Sequence, residues 1–184
     1  MAGIRKTAPT IETERLRLRA FRASDLKALH ALYTDGDNLR YWGVDRTGSL
    51  DETRRMMRWH VAYHPWQYVL WAVEDKKSKR LIGMINYHRR DRRERRVDVG
   101  WMIEPSRQGK GYMTEAGRAL VRYLIDTLAV HKVEALIRPE NKPSAALAKR
   151  LGFRLEGGPI RDRWWVGKQW HSVMLYGLIA GEEK

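Results

Sequence analysis

The segment that most constrains this chain runs from Val97 to Leu128. Val97-Asp-Val-Gly-Trp-Met-Ile103 reads as a strand stopped by Pro105, and Ser106 to Tyr112 is a short loop with two glycines. Thr114 then opens a helix in which Ala116, Leu120, Leu124 and Leu128 recur at helical spacing. The loop Gln108-Gly-Lys-Gly-Tyr112 therefore sits where a strand feeds a helix. Free N–H groups at a helix start, beside glycines that let the backbone approach closely, make a cradle for an anion. The same glycines also suit a plain turn that caps a helix. Two nucleotide motifs fit poorly. Gly109-Lys110 is followed by Gly111 rather than Ser or Thr, with no glycine five positions before Gly109. Thr114 stands where the dinucleotide fingerprint has its third glycine.

The flanking segments predict a mixed sheet with helices packed on it. Thr13-Glu-Arg-Leu-Arg-Leu-Arg19 alternates like a half-buried strand. Ser24 is the expected cap of a helix with Leu26, Leu29, Leu32 and Tyr33 on one face, and Ser49-Leu-Asp-Glu52 reads as a capping box for a second, through about His60. Tyr68–Glu74 and Leu81–His88 read as a hairpin. Val133–Ile137 is a further strand, Pro143–Leu151 a helix ended by Gly152, and Phe153 to Ile179 two strands around Val166-Gly167. The predicted order is β α α β β β α β α β β.

Composition removes several chemistries. The 184 residues contain no cysteine, which excludes disulfides, thiolate metal sites and a cysteine nucleophile. No apolar run approaches the roughly 18 residues of a membrane span, so no membrane association is expected. Met1 to Thr10 has no apolar segment of the secretory kind, and a cytoplasmic location is expected. His60 and His64 are four apart, but Pro65 ends the helix there, and no metal is expected. The length suits one domain. The net charge of +14 favours anionic partners. The basic runs Lys76–Arg80 and Arg89–Arg96 read either as solvated faces or as docking sites for RNA or the ribosome.

Val97 to Pro105 followed by Gln108-Gly-Lys-Gly-Tyr-Met-Thr-Glu-Ala116 resembles the acetyl-CoA-binding motif of the GNAT superfamily of N-acetyltransferases, Q/R-x-x-G-x-G/A, here Gln108 to Met113. Met113 stands where that pattern has Gly or Ala. Thr13 to Arg19, Asn141-Lys-Pro-Ser144 and Leu151-Gly-Phe153-Arg-Leu-Glu-Gly157 resemble the Rim-type branch, which includes ribosomal-protein N-terminal acetyltransferases. The resemblance spans about residues 11–178 and implies one N-acetyltransferase domain over 1–184. The implied fold is α/β, a mixed, mostly antiparallel sheet flanked by helices, whose fourth and fifth strands splay apart in a V.

The resemblance also implies a site. Acetyl-CoA is the cosubstrate, with its pantetheine along Trp101, Met102 and Ile103. Its pyrophosphate would lie on the N–H groups of Gly109, Lys110, Gly111, Tyr112, Met113 and Thr114, with Gln108 opening the loop and Lys110 adding a cation. Asn141 would contact the pantetheine. Ser144 would protonate the leaving thiolate, and a backbone N–H near Ile103 would hold the oxyanion. Asp98 and His88 are the candidate bases. The glutamate that some Rim-type members carry falls here on Arg163, beside Asp162. Trp42 and Trp59 fall in the helical segment that covers the acceptor, which is a protein N-terminus or a small amine. A homodimer is common among such proteins. The rival reading is a nucleic-acid or ribosome-binding module with a non-catalytic CoA site, favoured by the basic loops and the unassigned base.

Overall fold

The structure, a computed structural model, describes residues 7–42, 46–61 and 64–182, without the side chain of Trp59. Two short strands, Ile11–Glu12 (β1) and Leu16–Arg19 (β2), precede helices Leu26–Thr34 (α1), Gly36–Leu39 (α2) and Leu50–Val61 (α3). Then come Val69–Asp75 (β3), Arg80–Asp91 (β4), Arg96–Ile103 (β5), Tyr112–Arg122 (α4), Lys132–Ile137 (β6), Lys142–Arg150 (α5), Arg154–Val166 (β7) and Gln169–Ile179 (β8). The strands form a single sheet in the order β1-β2-β3-β4-β5-β6-β8-β7. Every pair is antiparallel except β5 with β6. The expected fold class is observed.

Period-2 alternation sorts the core into two layers. Leu16, Leu18, Trp71, Ile85, Val97 and Val99 share a cluster with Ala116 and Leu120 of α4, Leu147 of α5, and Leu124 and Leu151 just beyond those helices. Leu70, Ala72, Met84 and Met102 face the opposite way, under Leu29, Leu32 and Tyr33 of α1 and Met57 of α3. β3 and most of β4 are buried on both faces, which is why they read as nearly continuous apolar runs.

The parallel β5–β6 ladder is short. It joins Arg96, Val97 and Asp98 to Lys132, Val133 and Glu134 and then stops. Beyond it β5 stays paired with β4 as far as Ile103, while β6 stays paired with β8 as far as Ile137. The sheet thus splits between two strands that each keep their other neighbour, leaving an open V.

Several local expectations need correction. Ser24 is not the cap of α1. A 3-10 turn over Ala23–Asp25 precedes that helix, and the Asp25 carboxylate accepts the Arg22 N–H at 2.7 Å. The tetrad at α3 is closer to its expectation: Ser49 Oγ accepts the Glu52 N–H at 3.2 Å, but Glu52 reaches back to the Gly48 N–H rather than to that of Ser49. α2 was not foreseen; its four residues are held by Asp35, whose side chain accepts from the Asp37 and Asn38 N–H groups. α4 begins at Tyr112, two residues before Thr114, with Gly111 as its left-handed cap at φ 79°. It runs on as a π-helical segment over Tyr123–Thr127.

The last arginine of the N-terminal strand is buried in charge. Arg19 is 4% exposed and bonds both Asp25 oxygens at 2.7 and 2.8 Å and Glu74 at 2.6 Å, with Asp25 5% and Glu74 2% exposed. Removing the cation strands two buried carboxylates. Arg19→Met is expected to cost about 3–5 kcal/mol in denaturant unfolding. Arg17→Met, at a half-exposed pair, is expected to cost far less in the same measurement.

Candidate active site

The V opens into a cleft of about 2070 Å³ that runs across the edge of the sheet. Which backbone groups of β5 face it follows from register. The Glu104 N–H bonds the Ile82 carbonyl, and the β4–β5 pairing continues in step through Met84↔Met102 and Asn86↔Gly100. Hydrogen-bonded and non-bonded pairs alternate along an antiparallel ladder. Gly100 and Met102 therefore spend their backbone groups on β4, and Trp101 and Ile103 turn theirs into the V, where β6 has gone.

One end of the cleft is the Gln108–Tyr112 loop. Gly109 and Gly111 both have positive φ, 72° and 79°, and a Cβ on Gly109 would meet nothing within 4 Å. The first bond to close α4 is Glu115 N–H to the Gly111 carbonyl, so the preceding N–H groups of the helix have no helical acceptor. Their free donors and the helix dipole favour an anion at this spot. Lys110 is exposed and donates to the Ser106 carbonyl at 2.7 Å. Two cations that the sequence left unassigned stand closer in. Arg15 lies 4.5 Å over one side of the Tyr112 ring, and Arg107 lies 5.6 Å from the ring centre. Arg118, Arg122 and Arg150 also line the cleft.

Glu115 ties this loop to the N-terminal strand. It accepts from Thr13 Oγ at 2.6 Å, the Arg15 N–H at 2.7 Å and Arg15 Nε at 2.6 Å. Burial pushes its carboxyl up, but the bonds from Thr13 and Arg15 outweigh this and hold it below the ordinary range. The Thr-Glu-Arg motif thus anchors the first turn of α4.

Across the V, Asn141 caps α5 by accepting the Ser144 N–H at 3.2 Å, and both line the cleft. Ser144 Oγ accepts from Trp101 Nε1 at 3.2 Å. This bond crosses from β5 to α5 and leaves the hydroxyl proton of Ser144 free to point elsewhere. Met102, Ile103 and Tyr112 to Thr114 line the cleft as well, and the Met102 side chain also packs into the core under α1 and α3.

The other end of the cleft, under α1–α3, is polar and aromatic. Tyr33, Trp42, His60, Tyr68, Asn86, His88 and Gly100 line it. Tyr33 Oη lies 2.7 Å from His60 Nε2. Gly100 is small for a reason: a Cβ there would come within 2.9 Å of Asn86 Oδ1 and 3.6 Å of the Trp42 ring. Burial lowers both His60 and His88 to about 4, with Arg89 adding to the effect on His88. Trp42 is where the acceptor wall was expected, and the Trp59 side chain lies outside the described residues.

Asp98 sits differently from its expected setting. It is absent from the cleft lining, and it pairs with Arg89 at 3.3 Å. Burial raises its pKa, opposed by Arg89. His88 Nε2 lies 3.9 Å from it. Arg163 does line the cleft, from β7. The basic β4–β5 turn is largely committed to the fold: Arg90 donates to the Pro65 and Leu128 carbonyls, Arg95 to that of Ala129, and Arg96 to Glu134. Sequence reasoning missed Tyr33, Tyr68 and Asn86. The one signal was an asparagine inside the apolar run Leu81–Tyr87.

Residues 15–154 match the family described as "Acetyltransferase (GNAT) domain". The [Ribosomal protein uS5]-alanine N-acetyltransferase of Escherichia coli is 35% identical, over 98% of this chain and 96% of its own. The spermidine N(1)-acetyltransferase of Vibrio cholerae is 26% identical, over 91% of this chain and 94% of its own. The crystal structure of an acetyltransferase (GNAT family) from Bacillus anthracis superposes with a TM-score of 0.80 at 26% identity, covering 93% of this chain and 98% of that one.

His60 gives a prediction in pH. Its folded value, about 4, lies below the ordinary 6.5, so the unfolded chain binds the proton first. Its contribution to stability is complete above about pH 6.5 and is lost as pH falls toward 4. The His60 imidazole resonance in NMR is expected to titrate near 4, and His60→Gln is expected to lose less stability than wild type between pH 7 and 5.

Proposed function

The chain belongs to the GNAT family of acetyltransferases and is an N-acetyltransferase; from that premise we propose that it moves an acetyl group directly from acetyl-CoA to a primary amine held on the α1–α3 side of β5. The observation that carries this reading is the parity of β5. Trp101 and Ile103 present backbone donors and acceptors to the V in line with the free N–H groups of the Gly109–Thr114 loop. A long ligand with an amide-bearing arm and a diphosphate matches that sequence of groups. The residues fit acetyl-CoA: Gly109 leaves open space, and Arg15, Arg107 and the exposed arginines of α4 and α5 supply positive charge.

When bound, acetyl-CoA supplies the acetyl group as an activated thioester. The protein's part is to align, polarise and protonate. Holding acceptor and thioester in one geometry is worth many orders of magnitude in effective concentration. The Ile103 N–H, unspent on β4, is the donor we assign to the oxyanion. Ser144 is assigned as the acid for the thiolate, its oxygen already oriented by Trp101 Nε1. Asp98, walled off beside Arg89, is assigned a structural role. The residues from 11 to 178 act in this reading as one catalytic domain. The uS5-specific relative makes a protein N-terminus the acceptor to try first.

Acetyl-CoA at about 100 times its Kd is expected to stabilise the folded protein by about 2.7 kcal/mol. That raises Tm by several degrees, at roughly 2–4 °C per kcal/mol for a chain of this size. Gly109→Val, a β-branched residue at φ 72°, is expected to weaken acetyl-CoA binding at least tenfold by calorimetry. Ser144→Ala is expected to lower kcat by roughly a hundredfold while leaving acetyl-CoA affinity within a few fold. An unchanged kcat would remove Ser144 as the acid.

A further inference from the structure

The acceptor end of the cleft has an unusual chemistry for a site that must receive an amine. Asn86 is 8% exposed, and its Oδ1 is buried with no hydrogen-bond partner. His60 Nδ1 and His88 Nδ1 are likewise buried without partners. Asn86 and His88 project from the same face of β4, two residues apart, opposite Gly100 and Asp98 of β5. His60 comes from α3 with its other nitrogen on Tyr33. Leaving such groups unpaired costs stability unless a ligand pairs them.

The charged groups around this box all lie at its edge or are already engaged. Asp35 caps α2, and Asp37 follows it at the rim. Arg138 at the end of β6 donates to the Arg40 carbonyl and pairs with Glu140, Arg163 enters from β7, and Asp98 is matched by Arg89 behind His88. Among the described residues, none of the side chains inside the box is a carboxylate: they are Tyr33, Trp42, His60, Tyr68, Asn86 and His88.

We propose that Asn86, His60 and His88 form a charge-free box that takes the acceptor amine as R–NH2 rather than R–NH3+, so that acceptors are selected by low basicity. The proposal rests on the acetyltransferase reading above and deepens it. An ammonium ion moved into this box would lose its hydration and meet no free counter-charge, since Asp98, 3.9 Å from His88 Nε2, is already matched by Arg89. An uncharged amine has two N–H donors, and Asn86 Oδ1 with a histidine Nδ1 offers acceptors for them. Both histidines are held neutral by their burial. Burial also keeps the Tyr33 and Tyr68 phenols in their neutral forms.

The ammonium releases one proton to solvent before it enters. The nitrogen lone pair attacks the thioester carbonyl carbon and forms the N–C bond. The C–S bond breaks with its electron pair going to sulfur, and one of the two remaining nitrogen protons ends on that sulfur. The products are an amide and a thiol. An α-amine has a pKa of about 7.7–8.0 and an alkylamine about 10.4, so at pH 7 their uncharged fractions differ by roughly 300-fold. The box therefore favours α-amino groups over polyamines.

The test follows acetyl-CoA consumption from pH 6 to 10 with two probes, an alanine-initiating peptide amide and spermidine. The expected kcat/KM at pH 7 favours the peptide by at least a hundredfold, and each profile has its midpoint at that amine's own pKa. Asn86→Asp places a carboxylate in the box without changing its shape. It is expected to narrow the preference at least tenfold and to move the spermidine profile to lower pH. A midpoint common to both amines, or a preference for spermidine at pH 7, overturns the proposal. So does turnover of neither probe by protein that binds acetyl-CoA. Failure to bind acetyl-CoA brings down the acetyltransferase assignment instead.

Discussion

The structure depends on the end of one ladder. Strand β5 loses β6 after Asp98 but keeps β4 to Ile103. An unpaired strand edge inside a protein is costly, because each N–H and C=O turned away from water needs a partner. Here the edge is kept open and opposed by β6, which stays fixed to β8. The cost is justified if a ligand supplies the missing partners. The alternation of β5 then separates two chemistries on one strand. Its odd-numbered backbone groups look into the V, and its even-numbered side chains, Gly100 and Met102, look toward α1–α3.

Two sets of ion pairs hold the walls of this opening. Thr13 and Arg15 grip Glu115 at the start of α4, and Arg19 grips Asp25 and Glu74 under the same N-terminal strand. The first set is half-exposed and positions the loop more than it stabilises the fold. The second is buried, and its worth lies chiefly in what its loss would leave behind. Together they explain why the segment Arg15–Arg19 is so rich in arginine: Arg15 places the loop before α4, Arg19 locks the entry to helix α1, and Arg17 bridges Glu12 and Glu74 between them.

Much of this was legible in the residues. Val97 to Leu128 gave the strand, the loop and the helix, because glycine and proline punctuation is local chemistry. The resemblance carried Ser144, Asn141 and the loop to one cleft. What was not legible came from contacts distant in sequence. The pairing of Asp98 with Arg89 across the β4–β5 turn is one such contact. Ser24 looked like a cap, but Asp25, bonded to both Arg19 and the Arg22 N–H, serves there. The α1–α3 end of the cleft draws Tyr33, His60 and Asn86 from three elements, and no spacing in the chain announces that meeting. In the sequence the basic β4–β5 turn read as a solvated face before an RNA partner; Arg89, Arg90, Arg95 and Arg96 are tied to carbonyls or carboxylates of the fold, Arg92 lies over Trp66, and Arg93 is exposed.

Amide-resolved hydrogen exchange with and without acetyl-CoA tests the account most directly. The account predicts new protection at Trp101, Ile103 and the Gly109–Thr114 amides. Gly100 and Met102, already bonded to β4, should keep the protection they have. Uniform protection along β5, or protection confined to residues 89–96, would contradict the parity on which the cofactor placement rests.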